Sequence, residues 1–98
     1  MARFRISAKA DRDLIGIWKY IAADNEPAAD RFFDLLHEKF SALAAAPGIG
    51  VTANHIERGT RKVPVGEYII YYRRGRDRIL ILRVLHGKRQ QKQAYRSH

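Results

Sequence analysis

The segment VPVGEYIIYYRRGRDRILILRVLHGKR, Val63 to Arg89, decides how this chain folds. It holds two runs rich in β-branched and aromatic residues, Glu67 to Tyr72 and Arg78 to His86, on either side of an Arg-Gly-Arg-Asp connection. That pattern predicts an antiparallel β-hairpin. Side chains alternate across a strand, so Leu80, Leu82, Val84 and His86 are expected on one face and Ile79, Ile81, Arg83 and Leu85 on the other. Each face begins apolar and ends polar, which makes Arg83 to Arg89 the first place to look for function.

Working outward toward the N-terminus, Arg61 to Val65 reads as a further strand, with Pro64 marking it as an edge or a bulge because proline cannot donate to a ladder. Glu67 is the only acid between Arg58 and Arg76, and a neighbouring arginine is its expected partner. Pro47 to Thr60, PGIGVTANHIERGT, has no sustained periodicity and reads as a long loop, a length that signals either function or mobility.

Before that loop, Phe33, Leu36, Phe40 and Leu43 form the apolar stripe of a helix that Asn25 caps, Pro27 opens and Pro47-Gly48 ends. His37 borders the stripe. An earlier helix, about Ala8 to Ala23, is capped by Ser7 and carries Leu14, Trp18 and Ile21, with Ile17 widening the stripe and Trp18 as its core anchor. Asp11 and Asp13 suit the positive end of that helix. The RFRIS stretch from Arg3 to Ser7 alternates as a short strand.

The order β-α-α-β-β-β predicts a two-layer α+β domain, an antiparallel helix hairpin packed on one face of a small, mostly antiparallel sheet. The other face is expected to stay partly open. A single domain spans residues 1–98, and residues 88–98 form a polar tail without an apolar face.

Composition narrows function. No cysteine is present, which excludes disulfides, thiolate zinc sites and cysteine nucleophiles, and suits a reducing compartment. Neither a secretory leader nor an apolar run of the about 20 residues that a membrane span needs is seen, so a cytoplasmic protein is expected. Residues 1–57 carry a charge balance of −1 and residues 58–98 one of +10, so the excess charge lies on the sheet-forming half. An anionic partner is expected there, nucleic acid or an acidic protein.

The four histidines, His37, His55, His86 and His98, lack ligand spacing, and neither metal nor cofactor is expected. Ser7, Ser41 and Ser97 lack a nucleophile elbow. What remains is Arg83, His86, Lys88, Arg89 and Tyr95. Metal-free RNA cleavage by 2′-hydroxyl attack needs proton carriers and a cation near the phosphate, roles within the chemistry of histidine, arginine and tyrosine. Binding through the same cations is the other reading.

KADRDLIGIWKYIA in the first helix, VGEYIIYYR in the central strand and ILRVLHGKR in the last together resemble the ParE/RelE superfamily of toxins from type II toxin-antitoxin pairs. The resemblance covers nearly the whole chain. It implies the fold above, a cytoplasmic toxin, and a cognate antitoxin whose C-terminal segment wraps it. The ParE branch poisons DNA gyrase by protein contact without metal or cofactor, whereas the RelE branch cleaves messenger RNA on the ribosome.

The central strand and RVLHG look like ParE. Arg89 and Tyr95 match the spacing of the terminal arginine and tyrosine of RelE nucleases, and Lys62 matches one of their strand lysines. Yet Tyr68 stands where those nucleases have a mid-sheet arginine, and Pro64 where they have a second lysine. The resemblance therefore favours gyrase inhibition, with Arg61, Lys62, Arg73, Arg83, His86, Lys88 and Arg89 as contacts to target or antitoxin. A ribosome-dependent endoribonuclease using His86, Arg89 and Tyr95 is the alternative, and charge alone leaves a non-toxic nucleic-acid-binding module as a third reading.

Overall fold

The computed structural model describes residues 3–88. The chain runs β1 (Phe4–Ile6), α1 (Ala8–Ala22), α2 (Glu26–Ala45), β2 (Val51–Thr52), β3 (Arg61–Val65), β4 (Tyr68–Arg74) and β5 (Ile79–His86). These strands form one sheet in the order β1-β5-β4-β3-β2, antiparallel except where β1 runs parallel to β5. The two-layer α+β architecture is the expected one, with a short additional strand, β2, inside the segment read as loop.

Local chemistry sets the boundaries. The Ser7 hydroxyl accepts from the Ala10 amide and the Asn25 side chain from the Ala28 amide, so each helix begins at its expected cap. Gly66, at φ +59°, is the first central residue of the turn from β3 to β4, a position closed to most L side chains. Pro64 is accommodated because β2 pairs only with Arg61 and Lys62, leaving the rest of β3 as an edge on that side.

The helices bury one face each against the sheet. Leu36, Phe40 and Leu43 of α2 are fully enclosed, while Phe33 packs at their margin. On α1 the buried stripe is Ala10, Leu14, Ile17 and, in part, Ile21. Trp18 is not the core anchor that the sequence suggested. It lies 40° of helical rotation away from Leu14, on the side away from Ala10 and Ile17, and its indole N–H donates to Asp30 of α2 at 3.1 Å. It clips the two helices together at their flank.

Simple alternation fails in β5. Tyr71 stands opposite Arg83 and Tyr72 opposite Ile81, so Leu82 has no partner residue on β4. This bulge reverses the parity of the strand. Ile79, Ile81 and Val84 consequently face the helices, while Leu82 and Leu85 face the opposite side.

That opposite side is not left open. Leu85 and Tyr71 are buried there beneath Ala53, with Ile56, Ile69 and Leu82 around them. The cover is the long loop, which is built rather than loose. Ala53 N–H donates to the Thr60 carbonyl at 2.8 Å, and Gly59 N–H donates to the Asn54 side chain. At its start, the Tyr72 hydroxyl accepts from Gly50 N–H and donates to the Pro47 carbonyl, both at 2.8 Å.

Gly50 is confined by that arrangement. A β-carbon there would lie 2.6 Å from the Tyr72 hydroxyl and 2.7 Å from the Lys62 carbonyl, so backbone would have to move. Gly50→Ala should therefore destabilise the chain by about 1–3 kcal/mol, measured as a lowered urea midpoint. An unchanged midpoint would show that the loop is not anchored in this way.

Candidate functional site

The polar end of β5 is shaped by the bulge. In a regular strand successive carbonyls point to opposite edges, but those of Ile81 and Leu82 both meet Ser7, the first accepting from its N–H at 3.0 Å and the second from its hydroxyl at 2.9 Å. Nearly two turns further along α1, Asp13 takes the next free group. Its Oδ2 accepts from Val84 N–H at 3.0 Å and from Arg83 Nε at 2.8 Å, and its Oδ1 accepts from Arg83 Nη2 at 3.0 Å.

The paired hydrogen bonds that it donates to Asp13 hold the Arg83 guanidinium above its ordinary pKa, against the opposing effect of partial burial. Arg83 is thus a structural clamp between β5 and α1. Sequence reasoning treated Asp13 only as a favourable charge at a helix start. No spacing rule links it to a residue seventy positions away.

His86 is also built in. It stands opposite Tyr68, edge-on at a centroid distance of 5.4 Å, and Tyr68 in turn packs against Phe32. Its Nδ1 accepts from Lys88 N–H at 3.3 Å, which leaves Nε2 toward Glu67, whose carboxylate is 3.7 Å away. The expected arginine partner of Glu67 is therefore replaced by a histidine, because the turn at Gly66 brings Glu67 over the end of β5. Gly87 N–H closes this corner by donating to the Glu67 carbonyl at 2.8 Å.

The remaining sequence candidates do not converge. Arg61 reaches back over the loop and donates to the Gly50 carbonyl at 2.6 Å. Arg73 stands 3.8 Å from Glu57. Lys62, opposite Tyr71, lies on the loop-covered face, whereas His86, opposite Tyr68, lies on the helix face. Lys88 is exposed beyond the end of β5. Arg89 and Tyr95 lie outside the described residues.

Beside Lys62 a shallow apolar hollow of about 250 Å³ is lined by Ile49, Val51, Pro64 and Ile69, among others. Ile49 and Val51 remain 58% and 62% exposed, unusual for aliphatic side chains adjoining one another and a hollow. This strip, not marked by any motif, was missed in the sequence because it sits in an aperiodic segment. Among the described residues no group of histidines and acids is disposed to hold a metal ion. No helix there is long and apolar enough to cross a membrane.

A helix hairpin on one face of a five-stranded mixed sheet places the chain in a class of small two-layer α+β domains. A solved chain described as "Chromosomal ParDE TA system from P. aeruginosa" superposes with a TM-score of 0.75 at 20% identity, covering 90% of this chain and 98% of that one. Toxin ParE1 of Caulobacter vibrioides is 34% identical over 88 residues, 88% of this chain and 90% of that protein. Residues 4–91 match the model of the ParE toxin of the type II toxin-antitoxin system, parDE. The chain belongs to this ParE toxin family, and so to the half of a toxin-antitoxin pair whose partner is a cognate antitoxin.

Removing Asp13 tests the clamp. Asp13→Ala should cost about 2 kcal/mol, below the loss for a fully buried pair because Arg83 keeps part of its surface in solvent. Arg83→Met should cost less, since it leaves Asp13 still bonded to Val84 N–H. Equal losses in chemical denaturation would show that the guanidinium, not the backbone contact, carries the stabilisation.

Proposed function

We propose that this ParE-family chain arrests growth by binding DNA gyrase, and that its antitoxin silences it by covering the apolar strip beside β2 and β3. The observation that supports contact over catalysis is the separation of Lys62 and His86 on opposite faces of the sheet. A metal-free ribonuclease needs a proton carrier and a cation on the same phosphate, within hydrogen-bond reach. His86 is engaged by Tyr68, Glu67 and Lys88, and Arg83 by Asp13, which suits a frame for binding.

The residues available to partners are then exposed Lys88, Ile49 and Val51 and half-buried Lys62, with Arg89 beyond the described part of the chain. Arg61, Arg73 and Arg83 hold the frame that presents them. An antitoxin segment with apolar side chains fills the hollow, and its acidic residues meet Lys62.

Purified chain should abolish the supercoiling of relaxed plasmid by gyrase, and added antitoxin should restore it. Full supercoiling in the presence of excess toxin would refute the gyrase reading. Tyr95→Phe should leave growth arrest intact; loss of toxicity with antitoxin binding preserved would move the assignment to ribosome-dependent RNA cleavage. Val51→Asp, at an exposed position, should weaken antitoxin binding at least about tenfold without lowering the melting temperature. Unchanged affinity would place the antitoxin elsewhere.

A further inference from the structure

The connection between β4 and β5 does more than turn the chain. With Arg3 and the end of α2 it borders an open hollow of about 370 Å³, lined by Arg3, Arg74, Arg76, Arg78 and Asp77 together with apolar groups such as Ile79. A second hollow, of about 190 Å³, adjoins it through the shared residues Arg74 and Pro47 and is also lined by Arg61. Five arginines and one carboxylate thus border a continuous surface at one end of the sheet.

The single carboxylate serves one side of it. Asp77 lies 3.2 Å from Arg78 and 3.9 Å from Arg3, and its hydrogen bond to Arg78 holds its carboxyl below the usual range. Arg61 spends a donor on the Gly50 carbonyl. Arg74 and Arg76 are exposed and meet no carboxylate among the described residues. Their mutual repulsion, two residues apart at a hairpin end, is relieved by an anion.

The residue types indicate which anion. Each cation lining these hollows is arginine, whose planar fork matches phosphate oxygens two at a time. The lining offers no stacking platform for bases: its one aromatic residue, Tyr72, is buried and holds the loop through its hydroxyl. Single strands bind chiefly by stacking on aromatic side chains. Two hollows joined at Arg74 instead suit successive phosphates along one backbone.

We propose that the tip of the β4–β5 hairpin is a phosphodiester site that grips the backbone of a nucleic-acid duplex, without reading sequence, through Arg74 and Arg76. The site stands apart from the apolar strip assigned to the antitoxin, and its existence does not depend on gyrase being the target. In the supercoiling assay a negative result would refute that target; the binding measurement below refutes this site.

The probe is a fluorescein-labelled DNA duplex of mixed sequence, about 20 base pairs long, followed by anisotropy over a salt series. The chain should bind it with an affinity that falls steeply with salt. Arg74→Ala combined with Arg76→Ala should weaken binding at least about tenfold and flatten the log–log salt slope by about two, for two lost phosphate contacts. Arg12→Ala with Arg31→Ala removes equal charge from exposed positions of the helical layer and should change affinity less than about twofold. Equal losses in the two double variants, an unchanged slope, tighter binding to the single strand, or tighter binding to polyglutamate would each overturn the proposal. Both variants alter exposed side chains, and unchanged thermal melting confirms that the fold is retained.

Discussion

A strand that outruns its neighbour leaves backbone groups unpaired, and that constraint shapes this molecule. β5 has eight residues and β1 only three, so beyond Ile81 the β1 side of β5 faces no strand. Buried amides and carbonyls without partners are costly. The start of α1 supplies what β1 lacks: Ser7 takes the Ile81 and Leu82 carbonyls, and Asp13 takes the Val84 amide. The bulge at Leu82 is the backbone's side of this arrangement, since it aims two consecutive carbonyls at one residue. From it follow the burial of Val84 under the helices, the return of Arg83 to Asp13, and the seat of α1 on the sheet.

The second constraint is that this sheet is apolar on both faces. Two helices cover one face, and Tyr71, Ile69 and Leu85 on the other still need burial. The loop after α2 supplies it, and the groups that fix that loop include Arg61 and Arg73, which read as partner contacts in the sequence. Tyr72 and Arg61 anchor its start, and Glu57 within it faces Arg73. A charge balance of +10 in residues 58–98 therefore overstates the cations free for a partner. Arg61, Arg73, Arg78 and Arg83 each have an internal contact.

What the sequence made legible was what local rules govern. Ser7 and Asn25 cap where expected, and Leu36, Phe40 and Leu43 are buried as their spacing requires. Three features were not legible, each for a physical reason. Leu80, Leu82, Val84 and Leu85 are all apolar, so the residues on the two sides of the bulge fit either parity. Ala10 is enclosed and Trp18 is not, because Trp18 falls on the flank toward α2, where its indole bonds Asp30. The Asp13–Arg83 pair joins elements at opposite ends of the chain, which no local pattern encodes. Of the candidate site, the types of residue were evident, while their division between anchoring and exposure was set by tertiary contacts.

That division bears on how such a small protein acts. Catalysis requires cations and proton carriers brought together and partly desolvated at one point, a demand that competes directly with stability in a domain of this size. Among the described residues, Arg83 is engaged at the edge of β5, and Arg61 and Arg73 are engaged by the loop. What the frame leaves outward is two separate patches: an apolar strip at the β2 and β3 edge, and arginines at the hairpin tip. Such separate patches suit the binding mode proposed above. They also allow one patch to be covered while the other stays exposed.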